Sequence, residues 1–179
     1  MGAVPQVWTM DRVQTYFESL PKERCYMYDT ASVGNPFWKR TNFFGGIDWA
    51  FGILHAFQGD DHLHGDMARA HNSILSAVND PGSDRLRGLF HIPESNGHNM
   101  LFFQWTTEHG WDPNGTDLDS FLEHYAVTRY GRSSKDVMLP CTKRVAEAVL
   151  SGGGMDMYYQ RMGIRYNPPA SPPFDDFQQ

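Results

Sequence analysis

The residue best placed for chemistry is Glu94. An apolar run, Leu89-Phe90-His91-Ile92, ends in Pro93; Glu94 follows, and then Ser95, Asn96 and Gly97, which are too small and polar to extend a strand. A carboxylate at the end of a buried strand is costly without a partner or a task. In parallel α/β folds the carboxyl ends of strands are where catalytic groups sit. The bland alternative is a glutamate that anchors the loop into the next helix. Asp29, Asp48, Asp60 and Asp61 are candidate second acids by strand-end placement, with Asp29 the best of them and Asp60 and Asp61 closer to solvated loop acids. A different chemistry is open to Asp60, His62 and His64. His-x-His beside carboxylates can hold zinc or another divalent cation, which would make a metal-dependent hydrolase, although such a pair often arises by chance.

These side chains need a fold to hold them. The 179 residues suit one ordinary domain or part of a larger one, and 40% hydrophobic content is globular. Five Trp, eight Tyr and twelve Phe fit a core, and equally fit sugar-binding walls. A net charge of -6 argues against nucleic acid or an anionic membrane as partner. No run approaches the roughly 20 residues of a membrane span, and no signal peptide is read at the start. Cys25 lies in an apolar run and reads as a buried thiol; with Cys141 it defines neither a disulfide framework nor a metal site.

Hydrophobic spacing predicts a helix over residues 6–20, with Thr9 or Asp11 as cap, and a short strand over 24–28 closed by Asp29. A Ser, Gly, Asn and Pro loop fills 30–36. The run 49–54 reads as a second strand, ended by His55, without the alternation of a half-exposed strand. A helix follows over 64–78, then a break at 79–83, a third strand over 86–92 and a helix over 99–109 with Asn99 near its start. Two more helices span 117–130 and 137–150, the second starting near Pro140. Trp49, Trp105 and Trp111 read as packing residues, Trp111 as a plug after a terminating glycine. Strands alternating with helices imply a parallel sheet, and three strands alone leave open edges. The chain reads as a piece of a larger α/β barrel.

The residues that order these elements resemble the barrel domain of family 89 glycoside hydrolases. The likeness runs from Pro5-Gln6-Val7-Trp8 through Arg24, Asp29, Phe44-x-Gly46, Leu54-His55-x-Phe57-x-Gly59 and Gly65. It is densest at Gly88, Pro93-Glu94, Asn99, Glu108, Gly110-Trp111 and Arg129-Tyr130-Gly131. The resemblance implies a partial (β/α)8 TIM barrel, its last strands and helices, over residues 1–131. Residues 132–179 would be a helical C-terminal segment and Pro-rich tail, opening a following helical domain.

It also implies a retaining exo-glycosidase acting on terminal α-linked N-acetylglucosamine, with a carbohydrate partner and no cofactor. Glu94 stands at the family's nucleophile; Asp29, His55 and Asn99 are expected to bind substrate, with a hydrogen-bonded core histidine as the alternative for His55. Family members are lysosomal or secreted. The family's general acid lies in an Asn-Glu motif on an earlier strand, and no Asn-Glu pair occurs here. The isolated chain is therefore expected to lack that acid and to be inactive, or to survive as a carbohydrate-binding remnant. Two departures bear on substrate choice: His55-Ala56-Phe57-Gln58-Gly59 replaces the family's His-Asn-Phe-Gly-Gly, and Val33 stands where an acid is usual.

Overall fold

A computed structural model describes residues 8–55, 65–93, 99–115 and 117–151. Among these, three parallel strands lie side by side in sequence order: β1 (Tyr26–Asp29), β2 (Asp48–His55) and β3 (Leu86–Pro93). The helices are α1 (Met10–Ser19), α2 (Phe37–Arg40), α3 (Met67–Val78), α4 (Met100–Glu108), α5 (Leu118–Tyr130) and α6 (Lys135–Val149). All three strands and all five helices read from the sequence are present; α2 was not read. Thr9, Asp66, Asn99 and Asp117 cap α1, α3, α4 and α5, each side chain accepting a hydrogen bond from the backbone N–H three residues on.

The last helix departs from expectation. The sequence places its start near Pro140, whereas it begins at Lys135 with Pro140 inside. Near a helix start the proline forgoes a single backbone bond, to the carbonyl four residues back, and Pro140 is exposed. Its far end joins the main core: Ala146 and Leu150 are buried in the cluster that holds β2, and the Met67 N–H donates to the Leu150 carbonyl at 2.8 Å.

Strand β2 divides its side chains by size. Trp49, Phe51 and Ile53 are buried in the helical layer, against residues such as Phe17, Ile74, Phe102 and Trp105. The opposite face carries Ala50, Gly52 and Leu54, with Tyr26 and Tyr28 from β1 and Gly88, Phe90 and Ile92 from β3 in register beside them. No described element covers this face. Tyr28 is 61% exposed, and a Cβ added at Gly88 would meet nothing.

The rings on the outer strands lean over the small residues of β2 and meet above them, Tyr28 and Phe90 edge to face at 4.9 Å. Gly52 makes this possible: a Cβ there would lie 2.3 Å from the Asp29 carbonyl oxygen and 2.7 Å from the Phe90 ring. Gly52→Val should therefore cost at least the roughly 1–3 kcal/mol of an overpacked core. A urea midpoint equal to that of the parent chain would contradict this packing.

A polar seam runs through the helical layer. The His109 side chain, 1% exposed, bonds the Trp105 carbonyl through Nδ1 at 2.9 Å, and its Nε2 lies 2.7 Å from His71 Nδ1. A carbonyl only accepts, so Nδ1 of His109 carries the hydrogen and Nε2 accepts from His71. His91 on β3 reaches Thr106 Oγ1 at 2.7 Å; that hydroxyl gives its own hydrogen to α4 carbonyls, so His91 Nε2 is the donor.

Burial lowers the pKa of both His91 and His109 from 6.5. The unfolded chain takes up those protons first. Stability should thus be full above about pH 6.5 and fall as pH drops from there toward the lowered folded values. Urea midpoints at pH 7.5 and 5.5 test this: His109→Asn, which keeps a donor toward Trp105, should lose less on acidification than the parent.

Candidate functional site

Parallel pairing sends the carboxyl ends of the three strands to one edge. His55, the last residue of β2, pairs in register with Pro93, the last of β3. Pro93, the residue before Glu94 in the sequence, therefore stands directly beside the end of β2. Glu94 itself lies outside the described residues, as do the His55 side chain and Asp60, Asp61, His62 and His64, so the metal-site alternative also falls outside them. Among the described residues no group of three or more His, Cys, Asp or Glu is placed to hold a metal ion.

Asp29 closes β1 lower down. It pairs with Phe51, four residues before His55, which is about 13 Å of strand at about 3.3 Å per residue. It also shares the helix-facing parity of Phe51. Its carboxylate is 5% exposed, and Oδ2 accepts the Trp38 N–H at 2.9 Å, tying β1 to the start of α2. Ser32 completes the anchor. Its Oγ donates to the Asp29 carbonyl and accepts the Gly52 N–H, while its own N–H donates to the Gly52 carbonyl. The loop thus takes over the hydrogen bonds of β2 where β1 stops. Burial pushes the Asp29 carboxyl up despite the N–H donors around it. The retaining reaction needs a second carboxyl about 5–5.5 Å from the first, and the described fold does not bring Asp29 to the end of β3.

Asn99 is 4% exposed and begins α4, its Oδ1 accepting the Phe102 N–H at 3.2 Å. It fixes where the chain returns after residues 94–98 by setting the first turn of α4. Asn99 and the strand ends of β2 and β3 are thus the described boundary of the site; Asp29 holds the loop beside it.

Three sequence readings are corrected. Asp48 opens β2 at the amino edge, away from the site, and pairs with Arg87 at 2.9 Å and Arg85 at 3.3 Å; the Arg87 bond leads in holding its carboxyl below the usual range. Its position before the apolar run already implied this, because strands of one direction present their starts at the opposite edge. Trp111 is no plug. It is 84% exposed, its N–H donating to the Glu108 carbonyl just before the turn that Asp112 closes by accepting the Gly115 N–H. Cys25 is half-buried at the margin of the core, and Cys141 is exposed. Trp49 and Trp105 are buried packing residues, as read. The His91 and His71–His109 contacts were missed, although a histidine inside the run 89–92 was a visible signal.

Comparison with known proteins adds a family. The model of the alpha-N-acetylglucosaminidase TIM-barrel domain matches residues 2–113. Human alpha-N-acetylglucosaminidase is 26% identical over 133 residues, which are 74% of this chain and 18% of that protein. The chain thus spans about a fifth of the length of this relative.

The Asp29 anchor makes a distinction between two variants. Asp29→Ala leaves the buried Trp38 N–H without its acceptor and should cost about 1–3 kcal/mol. Asp29→Asn keeps an oxygen there and removes a carboxylate that burial disfavours, so it should be close to neutral at pH 7. Equal losses in chemical denaturation would show that the hydrogen bond is not what holds the loop.

Proposed function

The chain belongs to the alpha-N-acetylglucosaminidase TIM-barrel family, and on that premise we propose that it carries the nucleophile of a retaining glycosidase that removes terminal α-linked N-acetylglucosamine. One observation carries the reading: β3 ends at Pro93 in register with the end of β2, and Glu94 is the next residue. Residues 88, 90 and 92 of β3 belong to the uncovered face, and 94 is the next even number. In this reading the uncovered face is the inside of a (β/α)8 barrel, of which β1, β2 and β3 are the last strands. The barrel part runs to about residue 131, and α6 opens the helical segment behind it.

Glu94 attacks the anomeric carbon and expels the glycosidic oxygen, forming a covalent glycosyl-enzyme ester. Water then attacks the same carbon and releases the sugar with its configuration retained. His55, at the end of the neighbouring strand, and Asn99, at the start of α4, bind sugar hydroxyls. Asp29 acts from behind, holding the loop that flanks them. The acid that protonates the leaving oxygen, and the base that later activates water, is a carboxyl group outside these 179 residues.

The test uses an aryl α-N-acetylglucosaminide and the protein in which this chain lies with its barrel complete. Glu94→Ala should lower turnover by about 10⁴-fold or more, in line with the loss of other enzyme nucleophiles. Azide should restore release of the aryl group and yield a glycosyl azide, because the anion attacks the anomeric carbon in place of the missing carboxylate. Undiminished turnover in Glu94→Ala would end the proposal.

A further inference from the structure

A cleft of about 490 Å³ lies between the loop after β1 and the outer side of α3. Arg69, Asn72, Ser73 and Ser76 line one wall, at the spacing of a single helix face. Lys39 lines the other. It is held in place: its Nζ donates to Ser76 Oγ at 2.9 Å across the cleft and stands 4.9 Å from the centre of the Trp38 ring. Trp38 is in turn pinned by its backbone bond to the buried Asp29. Arg69 reaches the loop, where a Cβ on Gly34 would stand in ordinary contact, 3.9 Å from its Nη2.

Neither cation pairs with a carboxylate among the described residues, in a chain whose net charge is -6. Asp66 is the one acid in the lining, and its Oδ1 accepts the Arg69 backbone N–H at 2.8 Å as the cap of α3. The Asn72 amide and Ser73 hydroxyl add donors between the two charges. A guanidinium, an ammonium and neutral donors around one small space match an anion with several oxygens, for which charge-assisted bonds are the strongest available.

We propose that this cleft binds a sulfate or phosphate group, free or carried as an ester on a sugar. The site is independent of the glycosidase reading, since it lies outside the sheet and uses none of its residues. The experiment is calorimetric and NMR titration of the full chain with sodium sulfate, sodium phosphate and glucose 6-phosphate, at ionic strength held constant with sodium chloride so that general screening does not mimic binding. Saturable binding is expected, with Lys39→Ala and Arg69→Ala each about tenfold weaker or worse. Lys143→Ala, which removes an exposed cation paired with Asp119 elsewhere, should bind as the parent does. Saturation by the inorganic salts assigns a free ion, and saturation by the sugar phosphate alone assigns an ester. No saturable binding of any of the three, or equal binding by both cleft variants and the parent, would overturn the proposal.

Discussion

The structure depends on how β2 is filled. It pairs with β3 along most of its length and with β1 over residues 48–51, and its two rows of side chains do different work. The large row, Trp49, Phe51 and Ile53, is the centre of the helical layer. At full burial, three such side chains contribute on the order of 1.5–3 kcal/mol each by removal from water. The small residues of the other row, Ala50 and Gly52, let Tyr28 and Phe90 close over the strand. Exchanging the rows is not possible. A ring at position 52 would collide with the Asp29 carbonyl, and a glycine at 51 would leave a void under the helices.

The same strand explains why the polar groups sit where they do. Where β1 stops, Gly52 would be left with an unpaired N–H and carbonyl in a buried setting, and Ser32 takes both. Asp29 then needs donors of its own, and the N–H of Trp38 supplies one. This places Trp38 against Trp49, their rings stacked at 5.5 Å, and carries Lys39 out to the surface. A carboxylate in the helical layer is therefore an anchor, held at some cost in desolvation, rather than a group waiting for substrate. Among the described residues, the buried or half-buried histidines His71, His91 and His109 work in the same way, each hydrogen-bonding one element to another.

The elements were legible in the sequence because their signals are local. Parallel strands covered by helices show as apolar runs, and 26–29, 48–55 and 86–93 fall on the runs read as strands. Caps were equally plain, with Thr9 and Asn99 standing where the helical spacing begins. What could not be read was relative height and side. Asp29 ends a strand, as expected, but whether it stands level with the ends of β2 and β3 depends on register, which no spacing within one strand reveals. Trp111 was misread for a related reason: a tryptophan after a glycine looks like a plug, yet Asp112 and Gly115 form a turn that leaves the indole outside. The two-turn position of Pro140 in α6 shows the limit of a propensity rule when the helix is held by contacts at its other end. For the family, an ordered set of residues carried more than residue chemistry could, since a glutamate after a strand is common; the family match covers residues 2–113.

An uncovered parallel sheet is the last constraint, and it bears on function. Parallel sheets are stable when both faces are covered, and the described residues cover one. That side presents Tyr26, Tyr28, Leu54, Phe90 and Ile92, an aromatic and aliphatic surface with the ion pairs of Asp48 at its amino edge. Inside a closed barrel such residues form packed layers beneath the catalytic edge, and only the groups above the last layer meet substrate. By that measure the division of labour in this chain follows from height along the strands. The described residues below position 54 build the floor, whatever their polarity, and the ends of β2 and β3 at 55 and 93 stand above it. That places Asp29, which pairs with Phe51 four residues before His55, among the supports.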